Sequence, residues 1–275
     1  MFYLCKRNLL LYFRNHARVF FSLLGALITF VLYVVFLKKT FQTSWQQLPN
    51  SKQLLDRWQI GGTLAVTSIT TTLSGLAVLV SDRETNVLAD LTLTKRSNWQ
   101  IHLSYLISST IIGIILQLVL LISMVVYFHL TDNLNFPWHN LLQICLIIIL
   151  SSILAVLLND LLLYFIKTNA TLGQFSTIIG TASGFLVGAY LPLGSLPKFA
   201  QLLMKLTPGT YVASIYRQLL VGNSVAQPMR AEFAKIMGIR LKWNHLLTLQ
   251  QTFLVVISIL FAALLVDYLL QKVKA

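Results

Sequence analysis

The chain has 275 residues, of which 56% are hydrophobic and only 11% charged, and its mean hydropathy is +0.75. A soluble fold could not hide that much apolar surface, so the composition places the chain in a membrane. The formal charge of +13 is scattered beside apolar runs rather than gathered on one polar domain, which argues against a nucleic-acid-binding module and for anionic lipid headgroups as the counter-charge.

A hydrocarbon core about 30 Å thick takes about 20 apolar residues per helical crossing, and backbone in lipid must satisfy its own hydrogen bonds. Counted this way the sequence predicts an all-α, polytopic protein with six spans: 19–37, 59–80, 101–128, 141–166, 171–191 and 246–270. Residues 1–18 precede them as an amphipathic stretch in which Arg7, Arg14 and Arg18 recur beside Asn8 and Asn15, while Leu9, Leu10, Phe13 and Ala17 line another face. Such a helix lies along the inner leaflet; the plainer alternative is a basic anchor that only orients the first span. A signal peptide is the other alternative for the first run, but the run exceeds a usual h-region and ends in Lys38 and Lys39, not in a small-residue cleavage site.

With the N-terminus inside, ten of the 21 basic residues face the cytosol: Lys6, Arg7, Arg14, Arg18, Arg83, Lys95, Arg96, Lys167, Lys272 and Lys274. Their segments are the shorter ones, so density favours this orientation, with both termini cytoplasmic in the cell membrane. Cys5 falls in the arm and Cys145 in a span, which makes a mutual disulfide improbable.

Residues 81–100 form the polar loop after the second span. Ser81 followed by Glu84 has the spacing of a capping box, which predicts a short surface helix from Asp82 to about Leu93 with Val87, Leu88 and Leu91 on one side. Lipid alone does not ask for its three carboxylates, whereas a protein partner explains them. Residues 192–245 form the long outer region. Ser195 and Pro197 favour the start of one helix there, and Thr207 with Pro208 the start of another that Gly222 can end. Both are too apolar for water and too short to span, so a re-entrant hairpin is expected, the alternative being two flat interfacial helices. Pro228 opens a more polar helix closed by Gly238.

These elements, taken in order, resemble the ABC-2 type permeases of ABC transporters. The residues that carry the likeness are Arg83-Glu84, Val87-Leu88, Leu91, Thr94 and Arg96 after the second span, then YLPLGSLPKFAQLLMKLTPGTYVASIYRQLL from Tyr190 to Leu220 after the fifth. Asn86 stands about where the family often has glycine, and Lys95 follows Thr94 where proline is common. The resemblance implies an exporter half whose loop 81–100 is a coupling helix docking on a separate ATPase through Arg83, Glu84, Asp90 and Arg96, with Arg7 and Arg14 on the arm as further contacts. It also implies a second permease subunit, in a homodimer or related heterodimer, and ATP with Mg on the ATPase rather than any cofactor in this chain. The cargo could be drug-like (multidrug), lipid-linked or peptide.

Other features bear on the same question. None of the 13 glycines is followed by lysine, so the chain lacks the phosphate-binding loop GxxxxGK[ST]. Thr63, Thr67, Thr71 and Ser74 make one side of the second span hydroxyl-rich, either bonded to their own helix or lining a translocation path. Gly180, Gly184 and Gly188 form a smooth ridge for packing, within the subunit or at a dimer seam. Asp160 and Asp267 are the acidic residues within spans, and both fall near the cytosolic end, which disfavours a proton-coupled secondary transporter. No catalytic motif is present, and His129, Asp132 and His139 are too loosely spaced to suggest a metal, which disfavours an intramembrane enzyme.

Overall fold

The computed structural model describes residues 1–46, 48, 50–93, 97–222 and 229–274. The arm is helix α1 (Phe2–Phe13). Helix α2 (His16–Leu32) runs through a π-helical turn (Tyr33–Leu37) into α3 (Lys38–Ser44). There follow α4 (Ser51–Glu84), α5 (Val87–Thr92), α6 (Asn98–Asp132), α7 (Leu141–Leu163) and α8 (Asn169–Leu186). Helices α9 (Lys198–Leu206) and α10 (Pro208–Val221) form a hairpin, and α11 (Met229–Ile236) and α12 (Leu249–Lys274) complete the chain.

Among the described residues five helices are long and apolar enough to cross a membrane: His16–Ser44, Ser51–Glu84, Asn98–Asp132, Trp138–Leu163 and Leu249–Leu270. Helix α8, the counterpart of the expected fifth span, has 18 residues but carries Asn169, Gln174, Ser176, Thr177, Thr181 and Ser183. Its helix stops at Leu186, short of the expected Leu191, because Gly188 turns the chain with φ +71°.

Helix α4 is the axis of the bundle and packs against α2, α6, α7, α8 and α10. Most of its apolar window is buried, 78% against 17% for α12. Between Trp58 and Ser81 it carries no charged residue, and its threonine and serine hydroxyls bond carbonyls of their own turns.

Two expectations are corrected. Residues 1–18 are not one helix: α1 ends at Phe13, and Asn15 starts α2 by accepting from the Arg18 amide at 3.0 Å. Ser81 and Glu84 do not cap a new helix either, since α4 runs unbroken to Glu84 and the short helix starts only at Val87. Asp82, 5% exposed, is drawn into the bundle and carries the helix past the expected start. The break comes at Asn86, which takes a left-handed φ of 62°. That is the conformation glycine adopts most readily and asparagine next, so asparagine fills the turn where the resembled family often has glycine.

The hairpin doubles back at Thr207–Pro208. A Cβ on Gly209 would lie 3.0 Å from Ile69, near the middle of α4, so the tip reaches halfway along the bundle axis. Thr210 Oγ donates within this tip, with the carbonyl oxygens of Leu186 at 2.7 Å and Met204 at 2.6 Å in reach. Tyr216 lies deep enough to donate to Gln117 Oε1 of α6 at 2.9 Å.

Candidate functional site

The α5 end of the bundle gathers most of the residues singled out from sequence. Helix α5 has no buried residue; Leu88 and Leu91 rest on Val78, Leu79, Ile101 and Tyr105 together with Leu4 of the arm, while Asp90 and Leu93 are exposed. Three consecutive residues at the end of α4 hold three different neighbours. Asp82 receives both arms of the Arg7 guanidinium, at 2.6 and 2.9 Å, and the Tyr105 hydroxyl at 2.6 Å. Arg83 donates to the carbonyls of Leu163 and Ile166 at 3.2 and 2.9 Å, closing the end of α7. Glu84 accepts from the backbone N–H of Asn169 at 2.9 Å and from its side-chain amide, at the N-terminus of α8 where a carboxylate is favoured.

Arg83 and Glu84 are thus engaged within the chain, and Asp90, exposed like Glu84, is the acidic residue of this end with no side-chain partner among the described residues. Arg7 points inward, its pKa raised above the ordinary range chiefly by its hydrogen bonds to Asp82. Arg14 is exposed at the end of α1. Arg96, like Thr94 and Lys95, lies outside the described residues. The arm packs along α6 from Ile101 to Leu116: Asn8 donates to Ser108 at 3.4 Å, and Tyr12 sits against Ile112 and Leu116 with its hydroxyl 2.6 Å from Ser22. Phe2, Tyr3 and Leu10 point outward.

Beside this end lies a cluster that the sequence did not reveal. His102 Nε2 is 3.0 Å from Asp160 and 3.9 Å from Asp267, so α6, α7 and α12 meet at three titratable groups, with Arg83 and Tyr164 on the same small cavity. Their donor atoms lie within 4.8 Å of one another, the one group among the described residues placed so that it could hold a metal ion. At the opposite end, Lys38 bridges Asp56, at 3.1 Å, and Asp132, and Tyr33 donates to Asp56 at 2.8 Å.

A scan against family models matches residues 1–221 to the ABC-2 type transporter model. The chain belongs to the ABC-2 type transporter family. It is a membrane-embedded transport subunit of an ABC transporter, not a catalytic one. No curated protein and no solved structure matches it.

In this ABC-2 subunit Thr63, Thr67 and Thr71 are buried, and each donates to the carbonyl one turn earlier at 2.9, 2.7 and 2.6 Å. Ser74 is half-buried. The three glycines do not form one surface. A Cβ on Gly180 would meet open space, one on Gly184 would lie 2.2 Å from the Tyr190 ring, and Gly188 stands beyond the helix.

Below the hairpin tip, between α4, α7 and α8, lies a cavity of about 340 Å³ lined mainly by apolar side chains such as Leu154, Leu158, Ile178 and Val212. Its polar wall residues are bonded into the wall: Ser68 donates to Ala65, Ser183 to Gly180, and Asn159 to Ile69 and Thr72. Such a surface suits hydrocarbon better than a polar group.

Sequence reading missed Arg217 altogether. It is 2% exposed on α10, lies 4.5 Å over the Trp58 ring and donates to the Gly188 carbonyl at 2.7 Å. In a hairpin of mixed apolar and basic residues, nothing local marks which cation is buried.

Proposed function

We propose that the chain is the permease subunit of an ATP-driven exporter, with six spans and both termini on the cytosolic side of the cell membrane. It forms the translocation path as a homodimer or related heterodimer and is energised by a separate ATPase subunit that binds ATP and Mg. The observation that carries this reading is the α5 end. A short exposed helix is joined to the central α4 at the point where Asp82, Arg83 and Glu84 grip the arm with α6, the end of α7 and the start of α8. A push delivered to α5 reaches all of these at once, which is what a coupling helix must do. Among the described residues six of the eight acidic side chains have partners, and of the other two only Asp90 lies at this end, so it is the acidic residue offered to the ATPase.

The test is a charge reversal at Asp90 beside a neutralisation at Glu84. Asp90→Lys should leave membrane insertion and the melting temperature unchanged while ATP-dependent transport and co-purification of the ATPase fall at least tenfold. Glu84→Gln should reduce both coupling and the stability of the start of α8, by about 1 kcal/mol. Full transport and normal co-purification in Asp90→Lys would remove α5 as the docking point.

A further inference from the structure

The geometry points to Arg217 as the positioning residue of the hairpin end: it binds the outer third of α4, the turn after α8 and helix α10 into one block, so that displacement of α4 carries the hairpin with it. The inference rests on the permease reading only for what moves the block.

A guanidinium 2% exposed needs compensation, and Arg217 makes no ion pair among the described residues. Its compensation comes from three oriented groups on two elements. The Trp58 ring on α4 lies under it at 4.5 Å, the Trp58 carbonyl accepts from Nε at 3.4 Å, and the Gly188 carbonyl after α8 accepts from Nη2 at 2.7 Å. The C-terminal end of α8 adds the negative pole of its dipole, and the aromatic face attracts the cation once water is removed. Trp58 in turn donates Nε1–H to the Met237 carbonyl at 2.6 Å, which fastens the segment after α11 to the same point.

The backbone is cleared for this side chain. A Cβ on Gly61 would lie 3.0 Å from Arg217 Cγ, and one on Gly62 2.7 Å from Nη2, so α10 crosses α4 at a step where no larger residue fits without moving the guanidinium. From Trp58 in this contact region α4 runs without a break to Glu84 beside α5. At 1.5 Å per residue that is about 40 Å of unbroken helix joining the coupling end to the hairpin. A lever of this kind works only if its far end grips the element it moves, and Arg217 is the grip.

The test uses the full-length chain in nanodiscs, spin-labelled at Lys52 on α4 and Lys198 on α9, both exposed. The unsubstituted chain should give one narrow distance, Arg217→Met a distribution at least twice as wide, and Gly62→Ala, which keeps the charge but displaces it, a smaller widening. Arg217→Met and Gly62→Ala chains that are folded, by size exclusion and circular dichroism, yet retain the narrow distance would overturn the proposal. This arm needs no ATPase, so its outcome is separate from that of the permease reading. With the ATPase bound, nucleotide should displace Lys198 relative to α12 in the unsubstituted chain and at least threefold less in Arg217→Met while ATP hydrolysis continues; a purely structural residue would lower the folded yield and leave that displacement intact in the folded fraction, which would equally overturn it.

Discussion

Replacing Arg7 with methionine separates the arm's clasp from its apolar packing. The pair it removes is bidentate, with side-chain exposures of 35% for Arg7 and 7% for Asp82. Breaking a fully buried pair costs about 3–5 kcal/mol, and an exposed pair contributes about 0–1, so a half-exposed one falls near 2 kcal/mol. The loss falls on the docked state. With the arm in place Asp82 would stay covered with Tyr105 as its remaining donor, whereas with the arm lifted water reaches it. A change of about 2 kcal/mol is roughly a 30-fold rise in arm opening. Amide hydrogen exchange over residues 6–11 reads this directly, because α1 amides exchange through opening. Adding Asp82→Asn removes the stranded charge and keeps an acceptor for Tyr105, so the double variant should recover most of the protection. A rise under threefold in Arg7→Met, or no recovery in the double variant, would refute the clasp.

Two further outcomes test which helix faces are packed and which are open. Gly184→Leu must displace the Tyr190 ring and should lower the melting temperature of the subunit by several degrees, whereas Gly180→Leu enters open space, should fold normally, and reports by size exclusion whether that face is a seam between subunits. Cysteines placed at Thr63, Thr67 and Thr71 should resist water-soluble maleimide, and one at Ser74 should react faster; rapid labelling of all four would put the row on an aqueous path.

What could be read from sequence was local. Run length marks the apolar helices, and Pro208 and Gly222 bracket α10 because one ring and one missing side chain fix their own backbone angles. What could not be read depends on distant partners. Asp82 and Arg7 are 75 positions apart, and Arg217 and Trp58 are 159 apart. The Ser81–Glu84 spacing carried a true local preference, yet the burial of Asp82 overrode it and Glu84 found Asn169 instead. The regular spacing of Gly180, Gly184 and Gly188 suggested one ridge, but spacing does not show where a helix stops.

The π-helical turn at Tyr33–Leu37 has a hereditary consequence. A turn of this kind holds one residue more than an α-turn, so losing any single codon within it would leave an ordinary helix of almost the same hydropathy. Lys38 would keep its place beside Asp56 and Asp132, whereas the same loss in the α-helical part, His16–Leu32, would rotate everything downstream by about 100° and strand two carboxylates where water is scarce. Two in-frame deletions that look alike on a hydropathy plot would therefore differ sharply in damage, the one inside Tyr33–Leu37 being the milder.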